Sequence, residues 1–130
     1  MPTLTPLDDR FPIRQQLALD AGPVVLVNLF RLDASDESAF FETWTDDAAF
    51  MKRQPGFLWT QLHRALGPAP AFLNYAAWES TAHFRNAFGH PDFLAKLDAY
   101  PSSITIARTC SRRSLFPASA PPDPDRRTLS

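Results

Sequence analysis

The sequence has little of what most cofactor chemistry needs. Its single cysteine, Cys110, excludes an internal disulfide framework and fits a reducing compartment. Its three histidines, His63, His83 and His90, fall on a strand, a helix and a loop, with no pair at ligand spacing, so no metal site is expected. Four glycines, none arranged as a phosphate loop or dinucleotide fingerprint, give no reason to expect a nucleotide or flavin. The expected cofactor list is therefore empty. Neither sign of charge dominates: 13 Lys and Arg stand against 14 Asp and Glu, for a formal net charge of −1. Without a basic stripe, nucleic acid is not an expected partner. The longest apolar run, Pro23 to Phe30, is too short to cross a bilayer. The opening Met-Pro-Thr-Leu-Thr-Pro-Leu-Asp-Asp-Arg lacks the basic and apolar regions of a signal peptide. A soluble, cytoplasmic protein with no membrane partner is expected.

Phenylalanine is what the chain has in excess. Eleven Phe and three Trp are set against only two Tyr. Rings without hydroxyls build dry walls, whether of a core, a subunit interface or an aromatic ligand site. With 45% hydrophobic and 21% charged residues, the 130-residue chain reads as one globular domain.

Residues 1–22 are polar and punctuated by proline, and read as an extension with a short helix across Arg14 to Asp20. Pro23 to Leu32 is a β-branched strand. Ser35 is the expected N-cap of a helix whose apolar stripe is Phe40, Trp44, Ala48 and Met51, widened by Phe41. Pro55-Gly56 ends it. Phe57 to Leu66 and Ala71 to Trp78 form two further strands, and Ser80 caps a helix bearing Phe84, Ala87 and Phe88. A short helix from Pro91 to Tyr100 and a last strand from Ser103 to Phe116 follow, with residues 117–130 expected to be a disordered, Pro-rich tail. The order predicts an α+β domain over residues 23–116, ferredoxin-like βαββαβ, with a four-stranded antiparallel sheet and helices on one face. The first strand is apolar on both faces, with Val24, Leu26 and Phe30 on one and Val25, Val27 and Leu29 on the other. Helices cover only one face, so a homodimer packed sheet to sheet is expected. His63, placed on a face with Phe57, Trp59 and Gln61, would meet that second subunit.

The residues able to carry chemistry are few. Asn74 and Trp78 share a strand face, two strand repeats apart, and offer two neutral hydrogen-bond donors on an apolar wall. They read either as core or as a pocket for a flat, weakly polar organic molecule. Asn28 interrupts the apolar first strand next to the third, and serves either local structure or a ligand. Cys110 lies within the alternating run Ile104, Ile106, Arg108, Cys110 and reads as a small buried residue rather than a nucleophile.

Pro55-Gly-Phe57, Asn74-Tyr-Ala-Ala-Trp-Glu-Ser80 and Phe84-Arg-Asn-Ala-Phe-Gly89 resemble the antibiotic biosynthesis monooxygenase family, a dimeric α/β-barrel group, over Pro23 to Arg113. The likeness is strongest to its polyketide-tailoring branch, which oxidises anthrone- or naphthacenone-type phenols to quinones with dioxygen and no cofactor. The resemblance implies catalytic roles for Asn74 and Trp78 in oxygen activation and for Asn28 beside them. The substrate walls then fall to Phe30, Trp44, Leu62, Phe72, Phe84 and Phe88. Leu62 and Phe84 replace pocket tyrosines of some members, which removes a phenolic proton relay, and an arginine of one relative falls near Lys96 or Leu97. Heme cleavage, another activity of the family, is not implied. Its helical Trp would fall at Ala87 and its heme-ligand His at Leu97. An electron-rich phenolate or carbanion can pass one electron to dioxygen unaided, and the protein then needs a dry cavity and donors for the nascent peroxide. The group that deprotonates the substrate is not evident from the sequence. Two other readings stay open: a non-oxidative polyketide cyclase or isomerase, and a non-catalytic binder of a hydrophobic metabolite. Oxygen uptake with an anthrone-like substrate separates all three.

Overall fold

The β-branched run after Pro23 forms the centre of the sheet. In a computed structural model, which describes residues 1–112, it is strand β2 (Val24–Arg31). Strands β4 (Ala71–Trp78) and β5 (Thr105–Ser111) flank it, both antiparallel, and β3 (Phe57–Arg64) pairs antiparallel with β4. Helix α2 (Glu37–Met51) joins β2 to β3, while α3 (Thr81–Phe88) and α4 (Pro91–Asp98) join β4 to β5. This is the expected α+β, ferredoxin-like βαββαβ order.

The sheet has five strands rather than four and is mixed, in the order β1-β5-β2-β4-β3. The additional β1 (Thr3–Pro6) runs parallel to β5. Four residues carry too little alternation to announce a strand, and here the edge of β5 acts as the template. The expected helix at Arg14 to Asp20 is a single turn, α1 (Ile13–Gln16), with Ile13 and Leu17 in the core. The Gln16 side chain ties this segment down: Oε1 accepts from the Cys110 backbone N–H at 2.7 Å and Nε2 donates to Thr109 Oγ1 at 2.9 Å. The first 22 residues are thus partly built into the fold.

Other expectations shift locally. A 3-10 turn over Ala34–Asp36 precedes α2, so Ser35 does not cap the helix, and Asp36 accepts a hydrogen bond from the Ser103 hydroxyl. On α2, Phe50 is buried at 5% exposure and Phe41 is 39% exposed, because the core beneath the end of α2 is completed by Phe93 and Leu97 of α4. Gly56 takes φ +82° as the chain turns out of α2, and a Cβ there would collide with the His83 ring. Ser80 caps α3 as expected, accepting from the His83 N–H at 3.1 Å. A bulge between Phe57 and Trp59 then divides β3. Phe57 packs edge-on against Trp78 on the helix side, while Trp59, Gln61 and His63 face away from it. β5 ends at Ser111, and the expected continuation to Phe116 and the tail at 117–130 lie beyond the described residues. Among the described residues no helix is long and apolar enough to cross a membrane.

The helices cover the sheet face bearing Val24, Leu26 and Phe30, and the interior forms two clusters. One gathers Phe30, Phe40, Phe50, Phe72, Phe93 and Tyr100; the other gathers Val24, Leu26, Trp78, Phe84 and Ala87 with Ile13 and Leu17. Met51 and Phe88 pack against both.

Candidate active site

A narrow cavity of about 60 Å³ is lined by side chains from both clusters, and a polar row crosses its sheet wall. In the β2–β4 register Asn28 is the partner of Asn74, and in the β2–β5 register it is the partner of Arg108. Directly opposed antiparallel residues have Cβ atoms about 5 Å apart. Arg108, Asn28 and Asn74 therefore form one rung, and all three line the cavity.

Each member is held differently. Asn74 is 7% exposed, and its Oδ1 accepts from the Thr60 hydroxyl at 2.9 Å, which leaves the amide NH2 as the end able to donate to a ligand. The same hydroxyl lies 3.1 Å from the Tyr75 carbonyl. Trp78, at the next-but-one repeat of β4, is 1% exposed and wedged edge-on between Phe57 at 5.3 Å and Phe84 at 5.6 Å. Its Nε1–H is buried with no acceptor among the described residues. An unpaired buried donor costs about 1–3 kcal/mol. The Arg108 guanidinium lies 4.5 Å over the Phe88 ring. Burial, with Arg14 adding repulsion, lowers its pKa to about 10, so it stays charged at neutral pH.

The helix side of the cavity holds a carboxylate, Asp47, beside Trp44 and Met51. Asp47 Oδ2 accepts from the Tyr100 hydroxyl at 3.2 Å, and Oδ1 is buried without a partner among the described residues. Burial raises its pKa to about 6, against the pull of the Tyr100 hydrogen bond and of Lys96 and with a small push from Asp46. Tyr100 is itself raised by burial and by Asp47, so it remains a donor.

The fold brings together the proposed Asn28, Asn74 and Trp78 and the wall residues Phe30, Trp44, Phe84 and Phe88. Leu62 and Phe72 do not line the cavity. Phe72 is buried against Phe40 at 4.8 Å, one rung away from Asn74 and beneath the Arg64 guanidinium, and Leu62 packs on that same cluster. Asp47, Arg108, Thr60 and Tyr100 were not foreseen. Two of them leave a trace in the sequence: Arg108 breaks the inward row Ile104, Ile106, Cys110, and Asp47 stands three residues after Trp44 and four before Met51 on one helix stripe. Among the described residues no group of three or more His, Cys, Asp or Glu could hold a metal ion.

A second cavity of about 490 Å³ is walled by β1 and α1 residues such as Leu4 and Ile13, and shares Phe88 and Arg108 with the first. Pockets for drug-sized ligands run to about 300–1,000 Å³. The inner cavity alone is too small for three fused rings, and Phe88 stands at the shared wall.

A family model described as antibiotic biosynthesis monooxygenase matches residues 23–98. The chain is 37% identical over 110 residues to deoxynogalonate monooxygenase of Streptomyces nogalater, covering 82% of this chain and 86% of that protein. The crystal structure of SnoaB, a cofactor-independent oxygenase from Streptomyces nogalater, matches with TM-score 0.66 and 30% identity over 75% of this chain and 99% of that one. Rv0793 from Mycobacterium tuberculosis, at 14% identity, shares the fold, with TM-score 0.61 over 71% of this chain and 95% of its own.

Proposed function

The chain belongs to the antibiotic biosynthesis monooxygenase family and is a monooxygenase, and we propose that it oxidises a polycyclic aromatic polyketide intermediate of the anthrone or phenol type to a quinone, with dioxygen and without metal or flavin. The observation that carries this reading is the buried Trp78 Nε1–H, which has no acceptor among the described residues while lining the same cavity as the Asn28–Asn74 pair. A donor held unpaired in an apolar wall is available to charge that develops only during reaction. For a ring methylene the balance is CH2 plus O2 giving C=O plus H2O, with dioxygen as the only oxidant. The substrate anion gives up an electron, and the resulting peroxide is the species that needs donors. Four residues of strand separate Asn74 from Trp78 by about 14 Å, so the two donors serve different ends of the site rather than one point, and a three-ring substrate also needs the space beyond Phe88 in the second cavity. The likeness to SnoaB supports chemistry without a cofactor.

The reading includes a cytoplasmic homodimer joined through the sheet face that the helices leave uncovered. Leu29, Leu58 and Trp59 are exposed there or at its edge, and partial burial of Val25, Val27 and Tyr75 continues the patch.

Oxygen uptake by chelator-treated protein with anthrone tests the function. Uptake with quinone formation is expected, and Trp78→Phe, which keeps most of the ring volume, should lower turnover by about 10²-fold, as for loss of one oxyanion donor. Product without uptake would make the protein a cyclase, and binding without product would make it a carrier.

A further inference from the structure

We propose that Asp47 is the general base of the reaction, taking the proton from the substrate ring while Arg108 on the sheet side receives the resulting anion; this rests on the monooxygenase reading above. The geometry sets out the roles. Asp47 and Arg108 line one cavity from opposite layers, yet neither is in any of the ion pairs found among the described residues. The charged and titratable groups around Asp47 are Asp46 on its own helix, Lys96 and Tyr100 from α4 and the turn after it, and Arg108 across the cavity. Lys96 does not neutralise it, because its ammonium is engaged with Asp46 Oδ2 at 2.7 Å. Tyr100 occupies Oδ2, which leaves Oδ1 as a buried acceptor with no donor among the described residues. A partly buried carboxylate and a partly buried guanidinium that do not pair with each other are costly to keep apart. An acidic C–H or O–H placed between them completes both.

One base suffices for the whole sequence. Asp47 takes the first methylene proton, and the carbanion, transferring one electron and recombining, forms a C–O bond to dioxygen. The protonated Asp47 returns that proton to the distal peroxide oxygen. It then takes the second ring proton as the C–H electrons form the C=O bond and the O–O bond breaks. Hydroxide leaves and collects the proton from Asp47 as water. A pKa near 6, set by burial, keeps the group ionised at neutral pH yet basic enough to act.

The test separates proton removal from oxygenation. Under anaerobic conditions in deuterated buffer, the wild-type protein should speed exchange of the anthrone methylene protons. Asp47→Asn should reduce that exchange, and aerobic oxygen uptake with it, by about 10²-fold or more, the usual contribution of a general base. Retention of exchange by Asp47→Asn overturns the assignment. If the wild type consumes oxygen without accelerating exchange, the base is wrong and the oxygenase stands; exchange without oxygen uptake leaves the base and removes the oxygenase. Tyr100→Phe keeps the carboxylate and removes the hydrogen bond that holds its pKa down, so the acid limb of the exchange profile should move to higher pH. An unmoved limb in a folded Tyr100→Phe variant also overturns the proposal.

Discussion

On the helix side of the sheet, Trp78 Nε1 and Asp47 Oδ1 are buried with no hydrogen-bond partner among the described residues. On the other side, His63 Nε2 meets the Tyr75 hydroxyl at 3.0 Å, and Tyr75 packs edge-on against Trp59 at 5.3 Å. The inner face is thus largely apolar but electrostatically incomplete, while the outer face pairs His63 with Tyr75 yet leaves Trp59 48% exposed. These are different deficits. Unpaired buried polar atoms cost free energy that packing cannot return, and they ask for a small polar ligand. Exposed rings cost little singly, but in a contiguous patch they ask for a macromolecular surface. One sheet therefore offers the proposed reaction chamber on one side and the proposed dimer interface on the other.

The sharpest way to break this comparison is to make the same change in both faces. Trp78→Phe is expected to lower turnover by about 10²-fold with substrate affinity little altered, because its N–H acts on charge that arises in the transition state. Trp59→Phe removes an indole N–H from the outer face and should leave turnover within about a factor of three, the scale of a near-neutral substitution. Steady-state oxygen consumption by both variants decides it. Equal losses would mean that the unpaired inner donor has no special role.

The interface half of the comparison is sharpened by adding charge. Trp59→Glu should weaken self-association by about 2 kcal/mol or more, the scale of an aromatic hot spot, or roughly 30-fold in the dimer Kd. Sedimentation or light scattering across a dilution series measures it. A wild-type mass of one chain at micromolar concentration would remove the dimer, and the outer patch would need another partner.

The inner face was partly legible in the sequence, and its limits have physical causes. The βαββαβ order and the shared face of Asn74 and Trp78 follow from periodicity alone, and the meeting of Asn28 with Asn74 follows once the first and third strands are neighbours. The bulge in β3 has no comparable signature, so Phe57 was placed with Trp59 when it belongs beside Trp78. β1 was invisible, and α1 was expected at Arg14 to Asp20 but is shorter and starts earlier, for another reason: they are short elements whose order comes from β5 and from Gln16 bonded to its backbone. Arg108 and Asp47 were present as polar breaks in apolar rows. Such a break reads as solvent exposure until the opposing layer is known, and only the packing of α2 and α4 over β5 turns the pair into cavity walls.

Asp47 offers the smallest predicted effect, and its sign is diagnostic. Its carboxyl is pushed up from 3.8 to about 6 in the fold, chiefly by burial. A raised pKa means that the protonated form favours folding. That contribution is complete below about pH 3.8 and is lost as pH rises through about 6. Asn copies the neutral form at every pH. Wild type and Asp47→Asn should therefore be similarly stable near pH 3.5, and the variant should be the more stable at pH 7. A shift of two units would give roughly 3 kcal/mol, and because the side chain keeps some exposure to solvent a gain of about 1–2 kcal/mol is expected. Urea unfolding at the two pH values measures it. A variant that is more stable at neutral pH but slower in turnover carries the signature of a group kept for chemistry against stability. If wild type is instead the more stable at pH 7, the carboxylate is fully compensated in the fold. The inner face would then be as satisfied as the outer one.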